Sequence, residues 1–314
     1  MSDRGFIGAA PEQKRHSSKG VFSIAEINEF KNINEYESDK IIASYSLLGA
    51  GGGGGGGFHW HGQPYRGGGG GGAGGMLQVE NAEHFTLNTN YAVTIGSGGG
   101  GGGGSGPNNS FSTSQTPGGA GGNTTLATDD GTKTAYGSAG GAAACEDNGH
   151  NSANASGGGA GSYNVTLTGG TSGSQGNDGG TKSGSGNTAG ANGGSFSYAG
   201  DTNTSGDKNY TKGSIRNYTE DTLFSFSVVS IQGSTAASNG GGTSGTVNTG
   251  MGGGGAAAAS TGGSGGSGAI AIQYPAELTI NLNTNVGTTR TSPDGKFKVT
   301  TITAGGDNIS WSRS

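Results

Sequence analysis

The sequence predicts a mostly β and irregular fold, organised around glycine-rich stretches instead of a conventional apolar core. Three observations carry this expectation. Glycine supplies 75 of 314 residues while the hydrophobic set reaches 28% and the charged set 12%, which lies far outside ordinary globular usage. Unbroken glycine runs recur at residues 51–57, 67–72 and 98–104. Short segments rich in β-branched and aromatic residues alternate with those runs and are bounded by glycine or asparagine.

A glycine run cannot form a stable helix, and it offers a sheet no side chains to pack. Left solvated, such a run is an ordinary flexible linker. It can instead adopt the extended three-residue helix with a rise of ~3.1 Å, in which every N–H and C=O points outward. Those groups must then bond laterally, and backbones without side chains can approach from every direction. Cα–H contacts to carbonyls, worth about 0.5–1 kcal/mol each, would add up across such a lattice. The fold expected is therefore a domain of packed three-residue helices of the polyglycine II type, flanked by β-strands, with Ser, Asn and Thr facing water.

Three regions follow along the chain. Charge is concentrated in residues 1–40, read as an anchoring arm with a short helix. Within GVFSIAEINEF, Ser23 and Glu26 have capping-box spacing, Phe22 and Ile27 occupy the staple positions, and Ile24, Ile27 and Phe30 share one face. A helix of two or three turns is marginal alone, so its face needs a larger surface, either its own chain or a partner. The partner reading makes Phe6, Ile7, Val21, Phe22, Ile24, Ile27 and Phe30 the anchoring residues.

Residues 41–275 form the glycine-rich domain, with strands expected at IIASYSLL, MLQV, HFTLN, YAVTI, SYNVTLT, FSFSVVSIQ and GAIAIQYP. Residues 276–314 read as a small C-terminal β unit: LTINLN, a turn at SPDG, KFKVTTIT, a turn at AGGD, and NISW.

The most information-rich segment of the middle region is FHWHGQPYR, which separates two glycine runs. Phe58, His59, Trp60, His61, Tyr65 and Arg66 supply stacking area and hydrogen-bonding groups suited to recognition, and loops held by a rigid scaffold commonly carry function. The competing reading is that these aromatics fold back and cap the glycine layer.

No catalytic machinery is expected, and no cofactor. His59 and His61 lack a nearby carboxylate or thiol to complete a metal shell. The many GxGxxG matches join no strand to a helix with a later acidic residue. Asp129-Asp130 and Glu146-Asp147 read as solvated turn carboxylates, and Cys145 near His150 lacks an orienting third group. Net charge of −5 gives no footprint for nucleic acid, and a single cysteine excludes an intrachain disulfide framework. No apolar run reaches the ~20 residues of a membrane span, and the polar start does not read as a signal peptide, so synthesis in a cytoplasm is expected.

The segments YSLLGAGGGGGGG, YAVTIGSGGGGGGG and GGSGGSGAIAIQYP, in that order, resemble the glycine-rich domain of bacteriophage tail and tail-fibre proteins over roughly Ile41 to Pro275. RGFIGAAP followed by GVFSIAEINEF resembles an N-terminal docking segment of phage virion proteins. The resemblance implies a structural or adhesive, non-enzymatic virion protein, docked on other tail proteins by its N-terminal arm and presenting loops to a host-surface receptor. It also implies a homo-oligomer, with a trimer preferred. A connector or decoration fibre without adhesive function is the alternative, and an ice-binding bundle with a regular Ala/Thr face is a more distant one.

Overall fold

The computed structural model describes residues 39–59, 66–105, 115–144, 149–162, 166–182, 190–195, 199–201, 216–217, 230–231, 242–256 and 259–313. The expected helix and all seven anchoring residues, Phe6 to Phe30, lie outside the described residues. Among those described, the regular structure is all β.

Ten of the strands build two antiparallel sheets. One has the order β10 (Val286–Thr291), β11 (Phe297–Ala304), β8 (Ala269–Pro275), β1 (Lys40–Leu48), β2 (Met76–Thr86). The other has the order β5 (Gly131–Ala135), β4 (Thr124–Thr128), β3 (Tyr91–Thr94), β12 (Asn308–Arg313), β9 (Leu278–Asn281). A separate two-residue pair joins β6 (Arg216–Asn217) to β7 (Ser230–Ile231). The strands that follow Ala276 enter both sheets: β11 pairs with β8, and β12 pairs with β3.

Alternation explains the inner faces. Tyr91 and Val93 of β3, Leu126 of β4, and Ile309 and Trp311 of β12 point inward, to meet Tyr45, Leu47, Phe85, Ile270, Ile272 and Ile302. Trp311 is fully enclosed, its ring centroid 4.7 Å from Phe85 and 6.1 Å from both Tyr91 and Tyr274.

MLQV and HFTLN prove to be one strand, β2, kept continuous past Asn81, whose φ of 46° lies where β1 and β2 shift register. One hairpin and one edge strand of the two sheets have no counterpart in the sequence-based expectation. The hairpin β4–β5 turns on Asp129-Asp130-Gly131, with Gly131 at φ 101°, and the edge strand β10 is mostly exposed. Two further expected strands are described only in part: in SYNVTLT Leu167 makes an isolated bridge with Lys182, and in FSFSVVSIQ the two described residues, Ser230–Ile231, form the expected strand β7.

Every sheet strand next to a glycine run continues into a bundle of side-by-side extended segments. Residues 49–57 run through its middle. Gly49, Gly52 and Gly55 donate to the carbonyls of Gly75, Gly72 and Gly69; Ala50, Gly53 and Gly56 to Gly122, Gly119 and Thr116; Gly51, Gly54 and Gly57 to Gly266, Gly263 and Ser260. The carbonyls accept in the same rhythm. Those of Gly51, Gly54 and Gly57 take Gly99, Gly102 and Ser105; those of Ala50, Gly53 and Gly56 take Ser138, Gly141 and Ala144; those of Gly52 and Gly55 take Gly253 and Ala256.

Each neighbour is therefore met at every third residue, and this thread is enclosed by three antiparallel segments that accept from it and three parallel ones that donate to it. A sheet strand bonds two neighbours at most, and an α-helix bonds only itself. The close approach demands glycine. A Cβ added at Gly52, Gly53 or Gly54 would lie 2.0 Å from a backbone oxygen, that of Ala139, Gly100 or Gly254 respectively.

Candidate functional site

The central thread leaves the sandwich at Gly49 and ends at Phe58, nine residues on. There Phe58 and Arg66 face each other as an antiparallel pair, each N–H donating to the other's C=O at 2.9 Å. Phe58 also bridges Ser105 in parallel, and the His59 N–H donates to the Ser105 carbonyl at 3.3 Å. The two stems of the FHWHGQPYR loop are thus locked to each other and to a third thread.

Other connections leave from the same end. Ser105 and Gln115, Ala144 and Gly149, Ser162 and Thr166, and Lys182 and Gly190 flank segments of the chain that lie outside the described residues. Their stems form a closed terminal layer: Ser105, Gln115, Ser162 and Lys182 are all buried. The Gln115 amide donates to the Ala144 carbonyl at 3.0 Å, and the Ser162 hydroxyl accepts from the Gly67 N–H at 2.8 Å. Lys182 has its ammonium pKa lowered, first by burial and then by the nearby Arg66 guanidinium.

Of the six residues singled out by sequence, Phe58 and Arg66 are buried, 4% and 7% exposed, and belong to this terminal layer. His59 is half-buried. Trp60, His61 and Tyr65 lie outside the described residues. Sequence reasoning misses Ser105, Gln115 and Lys182, because a lone polar residue in a Gly/Ser tract has no local pattern that announces which layer it joins. No charged patch is formed by the described part of this end beyond the two buried cations.

Asp129 and Asp130, read as solvated turn carboxylates, have definite partners at the edge of the sandwich, while Glu146 and Asp147 lie outside the described residues. Asp129 accepts from the Lys40 ammonium and the Tyr91 hydroxyl, each at 2.6 Å, and from the Thr86 hydroxyl at 2.9 Å. These bonds, that of Lys40 first, hold its carboxyl below its ordinary range. Asp130 lies 2.7 Å from His84 Nε2, and His84 Nδ1 lies 2.6 Å from the Tyr45 hydroxyl. This cluster ties the start of β1 to the β4–β5 turn. Its bonds attach one strand to another.

Residues 35–275 match a family described as a glycine-rich domain. None of the curated proteins compared with the chain matches it.

Proposed function

The chain belongs to the glycine-rich domain family, and from that membership and the geometry we propose that it is a bacteriophage virion protein, a tail-associated fibre or adhesin. In this reading the glycine threads are polyglycine II helices. Support comes from the three-residue rhythm of their lateral hydrogen bonds and from the absence of left-handed φ values in residues 51–57, 67–72 and 98–104. The threads act as a stiff spacer and the loop carried by Phe58 and Arg66 is the recognition element, with His59, Trp60, His61 and Tyr65 as its contact residues. The arm before Lys40 docks on other tail proteins through Phe6, Ile7, Val21, Phe22, Ile24, Ile27 and Phe30.

One observation carries the reading: the loop stems, Phe58 and Arg66, are pinned to each other and to Ser105 by backbone pairing at the far end of the central thread. The burial of Phe58 and Arg66 favours a second reading, in which this end is only closed off and the protein is a connector. Replacing Trp60 and Tyr65 with alanine in otherwise complete particles separates the two. An adhesin loses host adsorption by about thirtyfold or more, the size of a hot-spot loss of about 2 kcal/mol, while particle assembly is normal. Unchanged adsorption selects the connector.

A further inference from the structure

The thread at residues 96–105 lies on the perimeter of the bundle, and one side of it is unfinished. Gly99 and Gly102 donate inward to Gly51 and Gly54, and their carbonyls accept from Gly265 and Gly262. The carbonyls of Ser97, Gly100 and Gly103 accept from Gly122, Gly119 and Thr116 of the adjacent thread. The N–H and C=O groups of Gly98 and Gly101, and the N–H of Gly100, have no hydrogen bond among the described residues. On the adjacent thread the same holds for the carbonyls of Pro117 and Ala120.

A second observation is independent of the first. Gly100 is exposed, and a Cβ there would meet nothing within 4 Å; at Gly103 it would meet only the Thr116 hydroxyl at 3.5 Å. Packing within the chain therefore does not call for glycine at these outward positions. Thr261 and Ser264, at the equivalent three-residue spacing on residues 260–268, are exposed and do carry side chains. Glycine in an exposed position that tolerates a side chain, beside unpaired donors and acceptors, indicates close approach by another backbone.

We propose that this face, residues 97–104 with 117–120, is where a second copy of the chain docks, backbone to backbone. The open groups of Gly98 and Gly101 repeat every three residues, about 9 Å along the thread. A β-strand edge repeats at about 7 Å and falls out of step, whereas another thread of the same kind stays in register. The face is also self-complementary. A twofold axis lying in the face and perpendicular to the threads sets residues 97–104 of one copy antiparallel to those of the other, with the Gly100 N–H of each facing the Gly98 and Gly101 carbonyls of its partner. That is the sense in which the central thread gives its own N–H groups to its neighbours.

The pairing rests on the three-residue thread geometry and not on attachment to a host, so adsorption results leave it untouched. Sedimentation equilibrium of the full chain tests it. The expected result is a reversible dimer whose dissociation constant rises about tenfold or more in Gly100→Gln, with an unchanged unfolding temperature, while Thr243→Gln on a remote exposed segment leaves it as it was. Amide exchange at Gly100 is expected to slow as protein concentration rises. A monomer at all concentrations, a stable trimer, or a Gly100→Gln dimer as tight as the parent overturns the proposal.

Discussion

In the sandwich, Trp311 is held by the rings of Phe85, Tyr91 and Tyr274, and the backbone only sets spacing. In the bundle, Gly53 is held by its own N–H to Gly119, its C=O from Gly141, and the carbonyl of Gly100 against its Cα. The first region coheres by area removed from water, which tolerates exchange among apolar residues of similar volume. The second coheres by approach distance, which tolerates nothing. A chain with only 28% hydrophobic residues can therefore close two sheets over one small core and build the rest from main chain.

The comparison is broken most directly at Gly53. Gly53→Ala sets a methyl 2.0 Å from a backbone oxygen that cannot swing away. The expected cost is beyond about 5 kcal/mol, so that little folded protein is recovered at any temperature. A folded variant with near-parental thermal stability would show that the threads part easily, and the contrast would fail. Trp311→Ala should cost about 3–5 kcal/mol, read as a lowered unfolding temperature, because the cavity it leaves is walled by both sheets.

Asp129→Asn sharpens the comparison at the seam between hairpin and β1. Its loss should be roughly 1 kcal/mol near neutral pH, since the pair with Lys40 is partly exposed and the Tyr91 hydroxyl keeps a weaker acceptor. The folded carboxyl titrates below its ordinary value of 3.8, so its stabilisation is fully present above that value. It is lost as pH falls through the lowered folded value. Melting curves of parent and variant should converge on acidification, and a gap that persists or widens there would assign the effect to something other than charge. The smallest change is expected at Gly100→Ala at concentrations where the chain is monomeric, within about 0.5 kcal/mol and in the stabilising direction, because the methyl meets nothing within its own chain and the unfolded chain loses freedom. Gly53 and Gly100 are neighbours across one contact, alike in sequence context, and opposite in expected outcome.

Much of the sandwich is legible in the sequence. IIASYSLL, YAVTI, GAIAIQYP, LTINLN, KFKVTTIT and NISW carry β-formers with clear boundaries, and each forms the strand expected. The β4–β5 hairpin is harder to read, because TTLATDDGTKTA holds one leucine and its neighbours are glycine and threonine. Its Asp-Asp-Gly turn is the available signal. Of the candidate site, the loop between glycine runs is visible in sequence, but the burial of Phe58 and Arg66 and the company of Ser105, Gln115 and Lys182 are not, since those stems are brought together from segments far apart in the chain.

By itself the sequence determined that cohesion here could not come mainly from side chains, because 75 glycines and sparse apolar residues leave the main chain as the chief resource. Only the tertiary structure decided which glycines are indispensable and which are free. A glycine run is uniform along its length, and nothing local distinguishes Gly53 from Gly100. Their difference arises from where each thread sits in the lattice: an enclosed one meets carbonyls on every side, and a perimeter one leaves part of its backbone facing outward.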